Sequence, residues 1–147
     1  MAGPCVFCQI ANREIAAHVV HEDERLMAFL DRGPIRAGHT QIVPKAHFPY
    51  FDETPAELVC AIAALGQQLA LALKRLYRVP RVAFLFTGSD IAHTHAHIVP
   101  LYESTDITSR RYIAEEKITF RSIPRASDLE LASSAEALKK ALLEVSR

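Results

Sequence analysis

The chain has no surplus of charge: Lys plus Arg and Asp plus Glu number 17 each in 147 residues. Net charge therefore gives no ground for wrapping nucleic acid or docking on an acidic membrane surface. No stretch approaches the roughly 18 consecutive apolar residues of a membrane helix. The opening MAGPCVFCQI also lacks the basic and then long apolar pattern of a secretory leader, so the cytoplasm is the expected location. Cysteine is scarce, with three residues, too few for a disulfide framework. No repeat, low-complexity tract or linker divides the chain. What remains is 50% apolar, enough to bury the core of one domain.

Residues 19–21 and 26–30 read as strands joined by the polar Glu22-Asp23-Glu24, and 40–44 supplies a third short β run. Thr54, Pro55 and Glu57 read as a helix start, with Thr54 as N-cap and Glu57 as capping-box acid. Leu58, Ile62, Leu65, Leu69, Leu73 and Leu76 then recur at gaps of three and four, predicting a long amphipathic helix that ends near Arg78-Val79-Pro80. Cys60, inside that pattern, reads as a small core residue. A buried strand is predicted over 82–87 and another over 93–101, joined by the loop 88–92. Residues 117–121 suggest a short strand, and Ser133 with Glu136 a last helix whose Leu138, Ala141, Leu142 and Val145 share a face. Strands cluster instead of alternating with helices, which favours an antiparallel α+β domain.

The chemistry concentrates in His93-Thr94-His95-Ala96-His97. Side chains alternate along a strand, so the three imidazoles project together. Imidazole serves near neutral pH as nucleophile, proton donor or metal ligand, and three on one face favour a site over packing. Cys5-x-x-Cys8 suits metal better than redox chemistry, because a redox pair expects a preceding strand in a βαβ unit. Zinc needs two further donors, for which histidines are the obvious source. Asp31 opens a polar loop and on its own reads as a turn former. His39 and His47 bracket the third strand and on their own read equally as exposed residues; His18 and His21 receive no role.

Taken together, CVFC, AFLDRGP, GHTQIVPKAH and HTHAHIVP, spread over about residues 5 to 102, resemble the histidine-triad (HIT) superfamily of nucleotide-binding hydrolases and transferases. The resemblance implies a HIT-like α+β fold: an antiparallel five-stranded sheet with two main helices, residues 1–102 as the domain core and 103–147 as a C-terminal helical extension packed on it. It implies a homodimer formed through the long helix and a neighbouring strand. By the same resemblance His95 attacks the α-phosphorus of a purine nucleotide, His97 contacts phosphate oxygens, His39 supports the cluster and Asp31 holds the ribose hydroxyls. Cys5, Cys8, His47 and His93 match the ligands of a structural zinc site.

Two departures stand out. The glutamine that many members carry four residues before the first triad histidine is Ser89 here, a candidate phosphate donor. Asp90 adds a carboxylate that repels a dianionic substrate unless it points outward. These departures motivate a second reading, a catalytically weak nucleotide- or partner-binding module. A third treats His93, His95 and His97 as ligands of one catalytic metal on another β scaffold, leaving Cys5 and Cys8 unexplained. Arg110, Arg111 and Arg121 are read as solvated.

Overall fold

The computed structural model describes residues 4–88, 90–107, 122 and 124–146. Ser89, the strand expected over 117–121, and Arg110, Arg111 and Arg121 lie outside them. A short helix, α1 (Val6–Ala11), precedes the hairpin of β1 (Val19–Glu22) and β2 (Leu26–Leu30); β3 (Thr40–Pro44), α2 (Ala56–Tyr77), β4 (Arg81–Phe86), β5 (Ala96–Leu101) and α3 (Asp128–Val145) follow. The five strands form one antiparallel sheet in the order β1-β2-β3-β5-β4.

The two-residue period of the strands sorts the sheet into two faces. Leu26, Ala28, Leu30, Ile42, Ala96 and Ile98 face the long helices and share one core with Ile62, Leu65, Leu69 and Leu73 of α2 and Leu131, Ala135, Leu138 and Leu142 of α3. Met27, Phe29 and Val43 face the other way and pack with Phe7 of α1. The register aligns one row across this second face: Val19 beside Phe29, Phe29 beside Gln41, Gln41 beside His97, and His97 beside Leu85. That row includes His97, the last of the three triad imidazoles.

Several local readings are corrected. Pro55, not Thr54, is the N-cap of α2, and no side chain caps that end. The Thr54 hydroxyl turns inward instead, donating to the carbonyl of Tyr50 (3.1 Å) and sharing a hydrogen bond with Thr94 (2.7 Å). Cys60 is exposed, because the buried stripe of α2 runs through Ile62, Leu65, Leu69 and Leu73 on the opposite side. α2 does reach the length and hydropathy of a membrane span, yet its apolar stripe is packed on the sheet. α3 starts at Asp128, ahead of Ser133, because Ser127 and Glu130 form the capping box: Glu130 N–H donates to Ser127 Oγ, and Ser127 N–H to the Glu130 carboxylate. Its face still includes Leu138, Ala141 and Leu142. Helix α1 was not legible as a helix, being a six-residue turn without a side-chain cap.

Candidate functional site

The ladder of β5 begins at Ala96, so His93 and His95 precede the regular strand. Thr94 N–H donates to the carbonyl of Phe48 at 2.7 Å, and its hydroxyl bonds Phe48 O and Thr54, so this segment is anchored by loop contacts. Alternation survives: Thr94 and Ala96 are buried toward the helices, while the His95 and His97 rings lie 5.0 Å apart on the opposite face.

His93 leaves that pair to meet the cysteines. Its Nδ1 lies 3.4 Å from Cys5 Sγ, 3.5 Å from Cys8 Sγ and 3.2 Å from His47 Nδ1, and His47 Nδ1 lies 3.3 Å from Cys8 Sγ. Tetrahedral ligation with bonds of about 2.3 Å to sulfur and 2.0–2.1 Å to nitrogen sets such atoms about 3.3–3.7 Å apart, so the four donors are spaced to hold a metal ion. His93 Nε2–H donates to the carbonyl of Pro44 at 2.8 Å, which turns the Nδ1 lone pair toward the cluster. Burial, then the neighbouring Cys5, push the Cys8 thiol up to about 11; a cation among these donors favours the thiolates. The three triad rings do not converge on one position, which removes the reading of a single metal held by all three.

Around His95 the hydrogen bonds form a directed chain. Burial lowers the pKa of His39 and brings that of His97 to about 4, with the His39 and His95 charges contributing, so both rings are neutral near pH 7. Ile35 N–H donates to His39 Nδ1 (3.2 Å), which leaves the His39 proton on Nε2, donated to His97 Nδ1 at 2.8 Å. His97 Nε2–H then donates to the Thr87 hydroxyl (3.0 Å), and Thr87 donates to His95 Nε2 (3.1 Å). His95 Nδ1–H donates to the carbonyl of His93 at 2.6 Å. A backbone donor fixes one end and a backbone acceptor the other, so every tautomer between is set. The outcome is an in-plane lone pair on His95 Nε2.

Asp31, His39 and His97 are also close enough to be considered metal ligands. The proton on His39 Nε2 and the use of its Nδ1 by Ile35 make them a hydrogen-bonded row instead. Asp31 accepts from Gly33 N–H (2.8 Å) and from the Gln41 amide (2.6 Å), with His39 Nε2 at 3.7 Å.

Asp31 stands between two clefts. One, about 340 Å³, is walled by Val6, Phe7, Ile10, Ile15, Phe29 and Ile91, with Asp31, Gln41 and Arg125 also on its lining. The other, about 450 Å³, is lined by His39, His97, Thr87, Asp90, Leu85 and Val99. Asp90 thus sits on the wall of the histidine cleft. A larger cavity, about 770 Å³, opens on the helix side between residues 34–39 and the first turns of α3.

Thr87 and Gln41 escaped the sequence reading. Thr87 lies eight residues before His95 in an ordinary strand ending, and Gln41 is one polar residue in an apolar strand. The alternation that aligned the histidines was the available signal, since both positions fall on the same sheet face.

A HIT domain profile matches residues 12–104. A HIT-like protein of Methanocaldococcus jannaschii is 41% identical over 103 residues, covering 67% of this chain and 80% of its own length. The adenylylsulfatase HINT3 of Arabidopsis thaliana is 33% identical over 104 residues, covering 67% of this chain and 53% of its own. Among solved structures, a Zn-bound histidine triad family protein from Mycobacterium smegmatis superposes with a TM-score of 0.77 at 28% identity, covering 97% of this chain and 96% of its own.

Proposed function

This chain belongs to the HIT family, and from that premise we propose that it is a nucleotide hydrolase or nucleotidyl transferase acting at the α-phosphate of a purine nucleotide through His95. The observation that carries the reading is the directed hydrogen-bond chain that leaves His95 with a lone pair on Nε2 beside the cleft lined by His97 and Thr87.

The apolar cleft suits a base, Asp31 the ribose, and the histidine cleft the phosphate. With substrate in place the Thr87 hydroxyl turns from His95 to a phosphoryl oxygen, freeing the nitrogen. His95 Nε2 attacks phosphorus, and the bond to the leaving group breaks with its electron pair passing to that group, which takes up a proton. Water then attacks the nucleotidyl-histidine, the P–N electron pair returns to Nε2, and a nucleoside monophosphate and a proton leave. Dividing the displacement into two steps makes each easier. His97 Nε2–H is a donor for the charge that develops on phosphate oxygens.

Cys5, Cys8, His47 and His93 are the residues that would hold zinc, as a closed four-ligand site with no open position for Lewis-acid chemistry. Held there, it would be structural, tying α1 to the segments after β3 and before β5. Exposed Leu71 on α2 and Phe84 on β4 suit a second copy of the chain, in keeping with a homodimer.

The test is a fluorogenic adenosine phosphoramidate with quenched-flow analysis. Wild-type protein is expected to turn over and to carry adenylate on His95 in single turnover, and His95→Ala to do neither while keeping its fold. Turnover by His95→Ala at the wild-type rate defeats the mechanism. Asp90 on the wall of the histidine cleft favours the second reading, a weakly catalytic binding module; nucleotide binding without adduct or turnover in the wild type selects it.

A further inference from the structure

Gln41, on the sheet face that carries His97, is half satisfied: its amide nitrogen is bonded and its carbonyl is not. It is 8% exposed, and its Oε1 is buried with no hydrogen-bond partner among the described residues. The orientation of its amide is not arbitrary. Nε2 lies 2.6 Å from Asp31 Oδ2, and a carboxylate oxygen there accepts only from the NH₂ end, so the carbonyl end is the one left over. A buried acceptor without a donor is costly, and such groups in native proteins call for an explanation.

Register says where that acceptor sits. Gln41 is paired across strands with Phe29, a wall of the apolar cleft, on one side, and with His97, a wall of the histidine cleft, on the other. Directly paired positions are about 5 Å apart. A ligand with its planar apolar part against Phe29 and its phosphate at His97 must pass its middle portion over Gln41 and Asp31. Together these two side chains hold acceptors: the Asp31 carboxylate, already partly used by Gly33 N–H and the Gln41 amide, and the unused Gln41 Oε1, which is covered and which a turn of the side chain would bring to the cleft that Gln41 lines. Two adjacent acceptors match two adjacent donors, and the part of a nucleotide that offers two adjacent O–H donors between base and phosphate is the ribose cis-diol.

We infer that Gln41 is a specificity-determining residue that reads the ribose with Asp31, one hydroxyl donating to Asp31 and its neighbour to Gln41 Oε1, so that this site selects ribonucleotides over deoxyribonucleotides. The inference rests on the nucleotide reading above and adds a sugar requirement to it. A site built to hydrogen-bond a hydroxyl rejects the analogue lacking it more strongly than an apolar pocket rejects a size mismatch, because the buried acceptor is then stranded. Replacing Gln41 by an apolar residue of similar volume removes the stranded group along with the contact.

The experiment compares AMP with 2′-deoxy-AMP and 3′-deoxy-AMP by titration calorimetry on the wild-type protein and on Gln41→Leu and Gln41→Met. Wild type is expected to prefer AMP over at least one deoxy analogue by about 10- to 100-fold. In either variant that preference is expected to shrink to within about threefold, mainly through a gain for the deoxy analogue. Equal binding of AMP and both analogues by the wild type overturns the inference, and so does a wild-type preference retained in a folded variant. Absence of any AMP binding by the wild type would instead remove the nucleotide reading itself, and this inference with it. Should both variants fail to fold, Gln41→Asn, which keeps the amide but withdraws its carbonyl by one methylene, takes their place with the same narrowing expected, and a full wild-type preference in it overturns the inference.

Discussion

At the scale of single residues, Thr87 has the most exposed role in the chemistry. Its hydroxyl accepts from His97 and donates to His95, so it both orients the two rings and covers the lone pair that the proposed attack uses. Thr87→Val keeps the shape and removes the hydroxyl. It is expected to lower kcat by about 10- to 100-fold with a smaller change in KM, because a donor used chiefly in the transition state is lost; Thr87→Ser is expected to retain most activity, and equal loss in both variants would contradict the assignment. His97 sets a pH dependence of stability. Its folded pKa of about 4 lies below the ordinary value of about 6.5, so the unfolded chain binds more protons between these limits. Stability from this group is complete above about pH 6.5 and is lost as pH falls toward 4. Urea midpoints at pH 7 and 4.5 check this: His97→Gln should show a smaller drop than wild type, and an equal drop refutes it.

At the scale of elements, two backbone features aim the site. Gly38 has φ +90°, and a Cβ there would lie 2.4 Å from Tyr77 Cε2 and 2.9 Å from Leu73 Cδ2 of α2. Only glycine fits the bend that delivers His39 into β3 while the loop rests on the helix. Gly38→Ala is expected to destabilise the fold by about 1–3 kcal/mol, measured by urea unfolding, and a neutral result would mean that the loop relaxes freely. The start of α3 is the second. Ala126 N–H donates to the carbonyl of Arg32, and Asp128 pairs with His18 at 3.2 Å and Arg32 at 3.5 Å, so the loop bearing Asp31 is held from the C-terminal side. Ser127→Ala removes the capping box and should cost about 1 kcal/mol of stability in the same assay. The sequence pointed to Ser133 as the start of this helix; the earlier start at Ser127 lets Leu131 and Ala135 join the buried stripe.

At the scale of the whole molecule, the cluster of Cys5, Cys8, His47 and His93 joins three parts of the chain remote in sequence. Phe7, between the two cysteines, packs edge-on against His93 and His95 with ring centroids 5.8 and 5.1 Å away. Removal of a metal held by these four donors is therefore expected to loosen α1 and the support of His95 together. Cys5→Ser with Cys8→Ser should abolish stoichiometric zinc in metal analysis and lower Tm. Wild-type protein treated with a chelator should show the same shift. Stoichiometric zinc persisting in the double variant would place the metal elsewhere.

Periodicity was enough for the strands, the stripe of α2 and the α+β class, because alternation and helical period are local properties of the chain; that Cys5 and Cys8 meet His47 and His93 was implied by the family resemblance, since spacing alone left His47 an exposed residue. The start of α3, the N-cap of α2 and the exposure of Cys60 were misread from the same local cues, since each depends on which face another element covers. Thr87 and Gln41 became visible only through register: cross-strand pairing brings Gln41 against His97 and Phe29 across chain separations that no sequence spacing encodes. Likewise the tautomer of His95 is decided at a distance, by an amide at Ile35 and a carbonyl at His93 acting through two further rings and a hydroxyl. Residue order determined which groups are present and which face each occupies; tertiary packing determined their partners, their burial and hence the direction in which each proton points.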